Sequence, residues 1–397
     1  MGNLKIFTDN VEPSALDQIY MLVKHPAFAD CKVRIMPDVH AGAGCVIGFT
    51  ADLGEKVIPN VVGVDIGCGM ITVELGEMYI DFEKLDAAIR ANVPSGMNAH
   101  DEPVMDFPGL KQLVCIENLK DIPWIQNSMG TLGGGNHFIE VDADEEGNKY
   151  LVIHTGSRNL GKQVADHYQN IAIENLIGKG KINEAIKKLI EEYKREGKQA
   201  QIEEAVKELR KKFIPDENIP KSLCYLTGKD RENYLNDMRI CQEFAHMNRV
   251  TIAKTIVAAM GWRGGFIGWE TVHNYIDHDS NIVRKGAISA QEGERVLIPI
   301  NMRDGCIIGI GKGNEDWNCS APHGAGRVMG RAEAKRTVTM EEYERSMKGV
   351  FSTSVNPSTI DESPMAYKTM NEILKYIEPT VEVEKIIRPV YNFKAGE

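Results

Sequence analysis

The sequence predicts an α+β protein, a single β-rich core with helices about it and a helical insertion at residues 165–235. Three observations predict this. From Leu4 to about Phe138, and again from Gly264 onward, short apolar runs alternate with glycine turns in the manner of strands and tight connections. Between them, 182–211 is rich in Glu, Lys, Ala and Leu, and its i,i+4 pairs, Glu191–Arg195 and Glu203–Lys207, are those of solvated helix. No solenoid-period repeat, low-complexity segment or long linker interrupts the chain, so 1–397 reads as one domain.

Composition narrows the function classes. Of 397 residues, 43% are apolar and 26% charged, as in an ordinary soluble globular protein. No apolar segment is long and clean enough to span a bilayer, and Met1–Phe7 lacks the apolar region of a secretory signal. Eight cysteines without a CxxC pair do not make a disulfide framework, so reduced thiols and a cytoplasmic location are expected. A net charge of −11 argues against a basic coat for non-specific nucleic-acid binding. Any polyanionic substrate must be met by a concentrated basic patch or by bound metal.

Taken in order, the first elements are helices after Pro13-Ser14-Ala15 and around Phe82–Ala91. Ile35–Gly44 reads as a strand, then an acid and a histidine, Asp38 and His40, then glycines. Val57–Val62 reads as a buried strand entering Gly63-Val64-Asp65-Ile66-Gly67-Cys68-Gly69-Met70, where three glycines permit a tight turn and close approach. Asp65 and Cys68 could converge there on one point, a hard oxygen beside a sulfur that loses its proton to metal. On its own the stretch also fits a glycine turn around an inert cysteine and a capping aspartate.

Gly130–Val141 matches neither the P-loop nor the dinucleotide pattern, and reads better as a ligand-bearing turn with Asn136, His137 and Glu140. From His137 a strand is expected, with His137, Ile139 and Val141 on one face and Phe138 and Glu140 on the other. Tyr150–Ile153 is a strand delivering His154 to a polar turn in which Arg158 offers a fork-shaped cation suited to phosphate. Tyr234–Met260 reads as a long amphipathic helix with a packed His246. His273 lies within Trp269–Tyr275, and Arg284-Lys285-Gly286 reads as a basic turn between strands. Val296–Ile300 is a strand ending in the turn Asn301–Gly305.

Asn318–Arg327 then leads into a helix with Arg331, Lys335 and Arg336, where the acidic chain becomes locally basic. Helical signals return at Thr339–Glu341, Ser363–Lys368 and Ile373–Ile377. A last strand, Val381–Arg388, precedes a tail at Pro389–Lys394.

Asp65, Cys68, His137, His154 and His273 each fall near a strand end, enough for two metal sites sharing Cys68, with ions roughly 3.5–4 Å apart as in two-metal phosphoryl-transfer centres. By softness alone, one sulfur and three imidazoles favour Zn or Fe over Mg. His323, held between Pro322 and Gly324-Ala325-Gly326-Arg327, could act as a nucleophile toward phosphorus, with Arg327 stabilising the phosphoryl charge. It equally fits a helix-capping histidine.

Val64–Met70, Gly133–Glu140, His154–Arg158 and Ser320–Arg327, in this order, resemble the RtcB family of GTP-dependent RNA ligases, over about Met36 to Tyr367. The resemblance implies two Mn2+ ions in a deep cleft, one on Asp65, Cys68 and His137, the other on Cys68, His154 and His273. It implies that His323 attacks the α-phosphorus of GTP and forms a guanylyl-histidine. The guanylyl group then activates an RNA 3′-phosphate for attack by a 5′-hydroxyl end, a 2′,3′-cyclic phosphate being opened first. Asn136 would contact the nucleotide phosphate, Glu140 the guanine N1–H and amino group, Tyr367 and Lys394 the base. His273, Asn274, Asn301, Ser320, Gly324, Ala325 and Gly326 would complete the nucleotide site. Arg158 and Arg303, with Arg284 and Lys285 behind them, would meet RNA phosphate. RNA ends are the implied partner, together with an archease-type activator. A dinuclear metal phosphoesterase acting on RNA terminal or cyclic phosphates would need the same five ligands but not His323. A non-catalytic, nucleotide-dependent RNA-binding protein is the third expectation.

Overall fold

Alternating apolar residues build the larger sheet, whose seven strands are antiparallel throughout. Their spatial order is Arg295–Asn301, Gly305–Gly311, Val381–Lys394, Phe138–Ala143, Lys149–Thr155, Gly69–Gly76 and Gly268–Val272. The structure, a computed structural model, describes residues 3–212 and 219–395. One face of this sheet places Ile71, Val73, Ile139, Val141, Leu151 and Ile153 against Leu85 and Ile89 of the helix Phe82–Asn92 and Ile252 and Ile256 of the helix Gly228–Met260. The other face gathers Met70, Phe138, Val152, Leu297, Cys306, Ile308 and Ile387. The strand period of two thus separates Ile139 and Val141 from Phe138 as the alternation requires.

A second sheet has the order Leu4–Ile6, Val33–His40, Ile47–Asp52, Ile282–Lys285 and Asn274–Asp277, with only its first pair parallel. Ala287–Ser289 and Ser320–Pro322 form a separate two-stranded antiparallel ribbon. The expected helices form at Pro13–Val23 and Phe82–Asn92; the Asp81 carboxylate caps the second by accepting from Lys84 N–H at 3.0 Å. The 33-residue helix Gly228–Met260 is tied to its surroundings by Asp237, which is fully buried and accepts from the N–H groups of Val114 and Cys115 and from Tyr168 O–H.

Over the stretch expected as a helical insertion the chain forms the helices Arg158–Ile177, Lys179–Arg195 and Ile202–Lys212, the first of which packs Leu160, Val164, Ala165 and Tyr168 into the core. An exposed Glu184–Lys188 pair at 2.7 Å is of the kind expected there. Positions 213–218 of the 165–235 insertion lie outside the described residues.

Several readings change. Val57–Val62 is not a strand: Pro59 sits in the first turn of a short helix, Pro59–Val62, where its missing N–H costs nothing, and Val57 makes an isolated bridge to Leu226. Arg284-Lys285-Gly286 is not an exposed basic turn. Arg284 and Lys285 are buried at the end of the strand Ile282–Lys285; Arg284 donates to Asp277, Tyr275 and Ser320, and Lys285 to the carbonyls of Ala43 and Asn60. Buried cations persist only with such partners.

Ser363–Lys368 contains a single 3-10 turn, Pro364–Ala366, after which Tyr367 is extended. His246 is half exposed rather than packed, and pairs with Glu270 at 2.6 Å. The C-terminal strand and tail are one strand, Val381–Lys394, which passes Pro389 because the register shifts between Pro389 and Tyr391. The basic run after Asn318 is answered by Asp361 and Glu362, which bind Arg327, Arg331 and Lys335.

Candidate functional site

Sheet register brings the candidate ligands to one end of neighbouring strands. Gly69 pairs with both Thr155 and Val272, and Phe138 pairs with His154. Cys68, His154, His273 and His137 therefore meet at the same edge. His273 links Gly268–Val272 of the larger sheet to Asn274–Asp277 of the smaller one, and its N–H donates to Cys68 O at 2.9 Å.

Two glycines make the turns possible. Gly67 (φ +75°) lies so close to the long helix that a Cβ would stand 3.0 Å from Ala245 Cβ. At Gly156 a Cβ would fall 2.1 Å from the Asp65 carboxylate.

The ligand atoms form two groups that share one thiol: Asp65, Cys68 and His137, and Cys68, His154 and His273. Cys68 Sγ is 3.5 Å from His137 Nε2 and 3.3 Å from His154 Nε2. His137 Nε2 is 3.0 Å from Asp65 Oδ2, and His154 Nε2 is 3.3 Å from His273 Nε2. A tetrahedral centre with metal–nitrogen bonds near 2.05 Å has ligand–ligand edges of about 3.3 Å.

The tautomers point the same way. His137 Nδ1 faces Leu132 O at 2.9 Å and His154 Nδ1 faces Asn136 O at 3.2 Å, so each donates its proton there. Their Nε2 lone pairs then converge on Cys68, an arrangement that a cation stabilises and an empty space does not. Burial, then neighbouring imidazoles, holds His154 and His273 well below the usual imidazole range. Burial, then the Asp65 charge, pushes the Cys68 thiol up. Burial works against the Asp65 anion, but a proton on His137 Nε2, whose place a bound cation would take, outweighs it and keeps the carboxyl below its ordinary value. In His154 and His273 the site thus holds imidazoles that burial keeps neutral for coordination, beside a thiol whose proton only a strong cation would displace.

Beside this pair stands His323, its ring centroid 4.8 Å from that of His273. Asp38, fully buried at the end of Val33–His40, accepts from His323 N–H at 3.1 Å and from Nδ1–H at 2.6 Å. This places the Nδ1 proton on the Asp38 side and orients the ring.

The cavity, of about 330 Å³, is lined by Asp65, Cys68, His154 and His273 at one end and by Asn136, Glu140, Asn274, Asn301, His323, Gly324, Ala325, Gly326, Tyr367 and Lys394 over the rest. At the far end Glu140, 2% exposed, accepts from Asn392 Nδ2 at 2.8 Å and from Cys306 Sγ at 3.5 Å. Lys394 is paired with Glu362, which also accepts from Tyr367 O–H at 2.7 Å.

The remaining sites of the sequence reading lie off this cavity. Ser320 is buried within its ribbon strand, accepting from Arg284 and donating to Asn318 O. Arg158 donates to Thr131 Oγ1 and Gly96 O at 2.9 Å each. Arg303 is held by Asp304 at 2.7 Å. Sequence reasoning did not single out Glu362 and Asn392, the partners of Lys394 and Glu140. Strand alternation could have found Asn392, two residues before Lys394 on the same strand face.

These features define a class: an α+β protein whose cleft sets two thiol-sharing clusters of potential metal ligands beside a carboxylate-oriented histidine. The family described as tRNA-splicing ligase RtcB matches residues 18–120 and 115–395. The chain belongs to the RtcB family. It is 28% identical over 426 residues to the RNA-splicing ligase RtcB of Escherichia coli K12, covering 97% of this chain and 95% of that protein. It is 27% identical over 430 residues to the tRNA-splicing ligase RtcB of Aeropyrum pernix, covering 85% and 82%. To the protein of the same name from Archaeoglobus fulgidus it is 26% identical over 460 residues, covering 92% and 88%.

Proposed function

We propose that this chain is an RNA ligase using GTP and two Mn2+ ions to join an RNA 3′-phosphate, or a 2′,3′-cyclic phosphate, to a 5′-hydroxyl end, in tRNA splicing or RNA repair. Family membership and the printed names of the relatives support RNA joining. The observation that carries the finer reading is the Asp38–His323 pair, in which the carboxylate holds Nδ1 of a ring that lines the cavity shared with the ligand clusters. Asp65, Cys68 and His137 would hold one ion, and Cys68, His154 and His273 the other. When bound, such ions supply positive charge and Lewis-acid polarisation at phosphate oxygens.

The residues then divide the work. Nε2 of His323 bonds to the α-phosphorus of GTP as the bond to the bridging oxygen breaks, and pyrophosphate leaves. Asp38 stabilises the positive charge that develops on the ring. An oxygen of the RNA 3′-phosphate then attacks the same phosphorus, the P–N bond breaks, and His323 is returned. The 5′-hydroxyl oxygen attacks the activated RNA phosphate and GMP leaves. Glu140 would accept from guanine N1–H and the amino group, which adenine cannot match. Tyr367 and Lys394 would cover the base, and Asn136 would reach the nucleotide phosphate.

Arg158 and Arg303 are proposed for RNA phosphate outside the cavity, and Ser320 for a nucleotide contact. A cytoplasmic location, residues 1–397 acting as one domain, and an archease-type activator complete the proposal. Among the described residues no helix is long and apolar enough to cross a membrane.

Incubation with α-labelled GTP and Mn2+ tests the reading. An acid-labile label on the protein that disappears in His323→Ala is expected. No label, or a label that persists in His323→Ala, overturns it. Release of phosphate from RNA ends by His323→Ala without any ligation would identify the phosphoesterase instead.

A further inference from the structure

We infer that Asn248 and Arg249, adjacent residues in the middle of the helix Gly228–Met260, are positioning residues that set the geometry of both ligand clusters together. The inference rests on the reading that those clusters hold ions. Both side chains are buried, at 0% and 1% exposure, and together they touch every segment that delivers a ligand.

Arg249 Nη1 donates to Gly67 O at 2.7 Å, one residue before Cys68, and to Thr155 O at 3.0 Å, one residue after His154. Its Nε donates to Glu270 at 2.7 Å, on the strand that leads into His273. Asn248 Oδ1 accepts from Gly130 N–H at 2.8 Å and Thr131 N–H at 3.1 Å. Its Nδ2 donates to Thr131 O and Gly156 O at 3.1 Å each. The next carbonyl along, Leu132 O, orients His137 through Nδ1, and Thr155 Oγ1 donates to it at 2.7 Å.

Apart from the Glu270 carboxylate, these contacts fall on backbone groups around the strand ends, where the ladder stops supplying partners. Neither side chain touches a candidate ligand atom. They act one step back, on the peptides from which the ligands project. The planar fork of arginine serves two carbonyls and a carboxylate at once, which a lysine ammonium cannot reproduce. Residues 248 and 249 are about 100° apart around the helix, so one helix addresses two sides of the site. The close seat of Gly67 on this helix leaves little freedom for the turn to follow a misplaced side chain.

The test is a Mn2+ titration of metal-stripped protein, with the thermal midpoint of the same metal-free samples measured alongside. Arg249→Lys and Asn248→Ala are compared with Asp237→Asn, which breaks a buried anchor elsewhere on the same helix. Arg249→Lys and Asn248→Ala are expected to lose about 10–100-fold in Mn2+ affinity at both clusters. Asp237→Asn is expected to lower the midpoint and leave Mn2+ affinity unchanged. Glu270→Gln, half-buried and better tolerated, is expected to weaken mainly the cluster containing His273.

Parent-like Mn2+ binding in Arg249→Lys and Glu270→Gln overturns the inference. So does an affinity loss that follows the midpoint equally in all variants, since that is plain destabilisation. A parent chain that takes up no Mn2+ overturns the metal reading itself.

Discussion

Asp38 and His323 are 285 positions apart in sequence, yet one Asp38 oxygen accepts both the ring Nδ1–H, at 2.6 Å, and the backbone N–H of His323. The second contact fixes the turn, the first the tautomer. Asp38→Asn keeps the shape but can offer its amide N–H to Nδ1, which would move the proton to Nε2. The rate of protein guanylylation should fall by roughly 10²–10⁴-fold while Mn2+ binding is retained. Single-turnover labelling measures it, and an unchanged rate would remove Asp38 from the mechanism.

Sharing of Cys68 separates two variants that otherwise look alike. Cys68→Ser should weaken both ions together, because the thiol belongs to both ligand groups. Asp65→Ala should weaken mainly the ion on His137. Metal analysis after dialysis distinguishes these outcomes, and two tightly held ions in Cys68→Ser would contradict the shared thiol.

Glu140 sets a pH dependence. Burial pushes its carboxyl up to about 7, against the opposing hydrogen bonds of Asn392 and Cys306. Its folded value lies above the ordinary 4.5, so the nucleotide-free fold favours the proton and loses that stability as pH rises from about 4.5 through 7. In the proposed role Glu140 meets guanine in its ionised form, so GTP affinity should rise through the same window and level off above it. Glu140→Gln, which turns an N–H toward guanine, should cost about a hundredfold in affinity and flatten the profile. Equilibrium binding of a fluorescent guanine nucleotide across pH 5–8 tests both points.

Glu362 behaves oppositely. Burial disfavours its charge, but Lys394 and Arg331 outweigh burial and hold the carboxyl at about 2. It therefore contributes stability that is complete above the ordinary carboxylate range and is lost as pH falls from about 4.5 through 2. Glu362→Gln leaves buried Lys394 without its counter-charge and should cost about 3–5 kcal/mol of stability, read by denaturant unfolding.

The pattern of strand ends made much of the site legible before any coordinates. Asp65, Cys68, His137 and His154 sit in or beside glycine turns because a ligand at a strand terminus needs a backbone free to bend toward it. Asp38 was visible as an acid at the end of a strand, but its partner lies beyond any local window. Asn248 and Arg249 fall on the expected long helix, but helical periodicity alone does not say which strand ends they serve. Only tertiary packing reveals that they point inward. Arg284 and Lys285 misled for the converse reason: two adjacent cations before a glycine read as a turn, while their partners at Asp277, Ala43 and Asn60 are set by the fold. Pro59 misled at Val57–Val62, where an apolar run resembles a strand and the proline instead starts a helix.

Val381–Lys394 occupies the middle of the larger sheet, between the hairpin Arg295–Gly311 and the strand Phe138–Ala143. It also carries Asn392 and Lys394 into the cavity. During synthesis the two halves of that sheet have no common strand until this segment leaves the ribosome. A chain stopped between His273 and Val381 carries every residue of the two ligand groups, yet it lacks Asn392 and Lys394 of the cavity lining and the strand that joins the halves. Under the proposed function, GTP binding by ribosome-bound chains is expected only once this last strand has emerged, an outcome that nucleotide binding by stalled nascent chains would check.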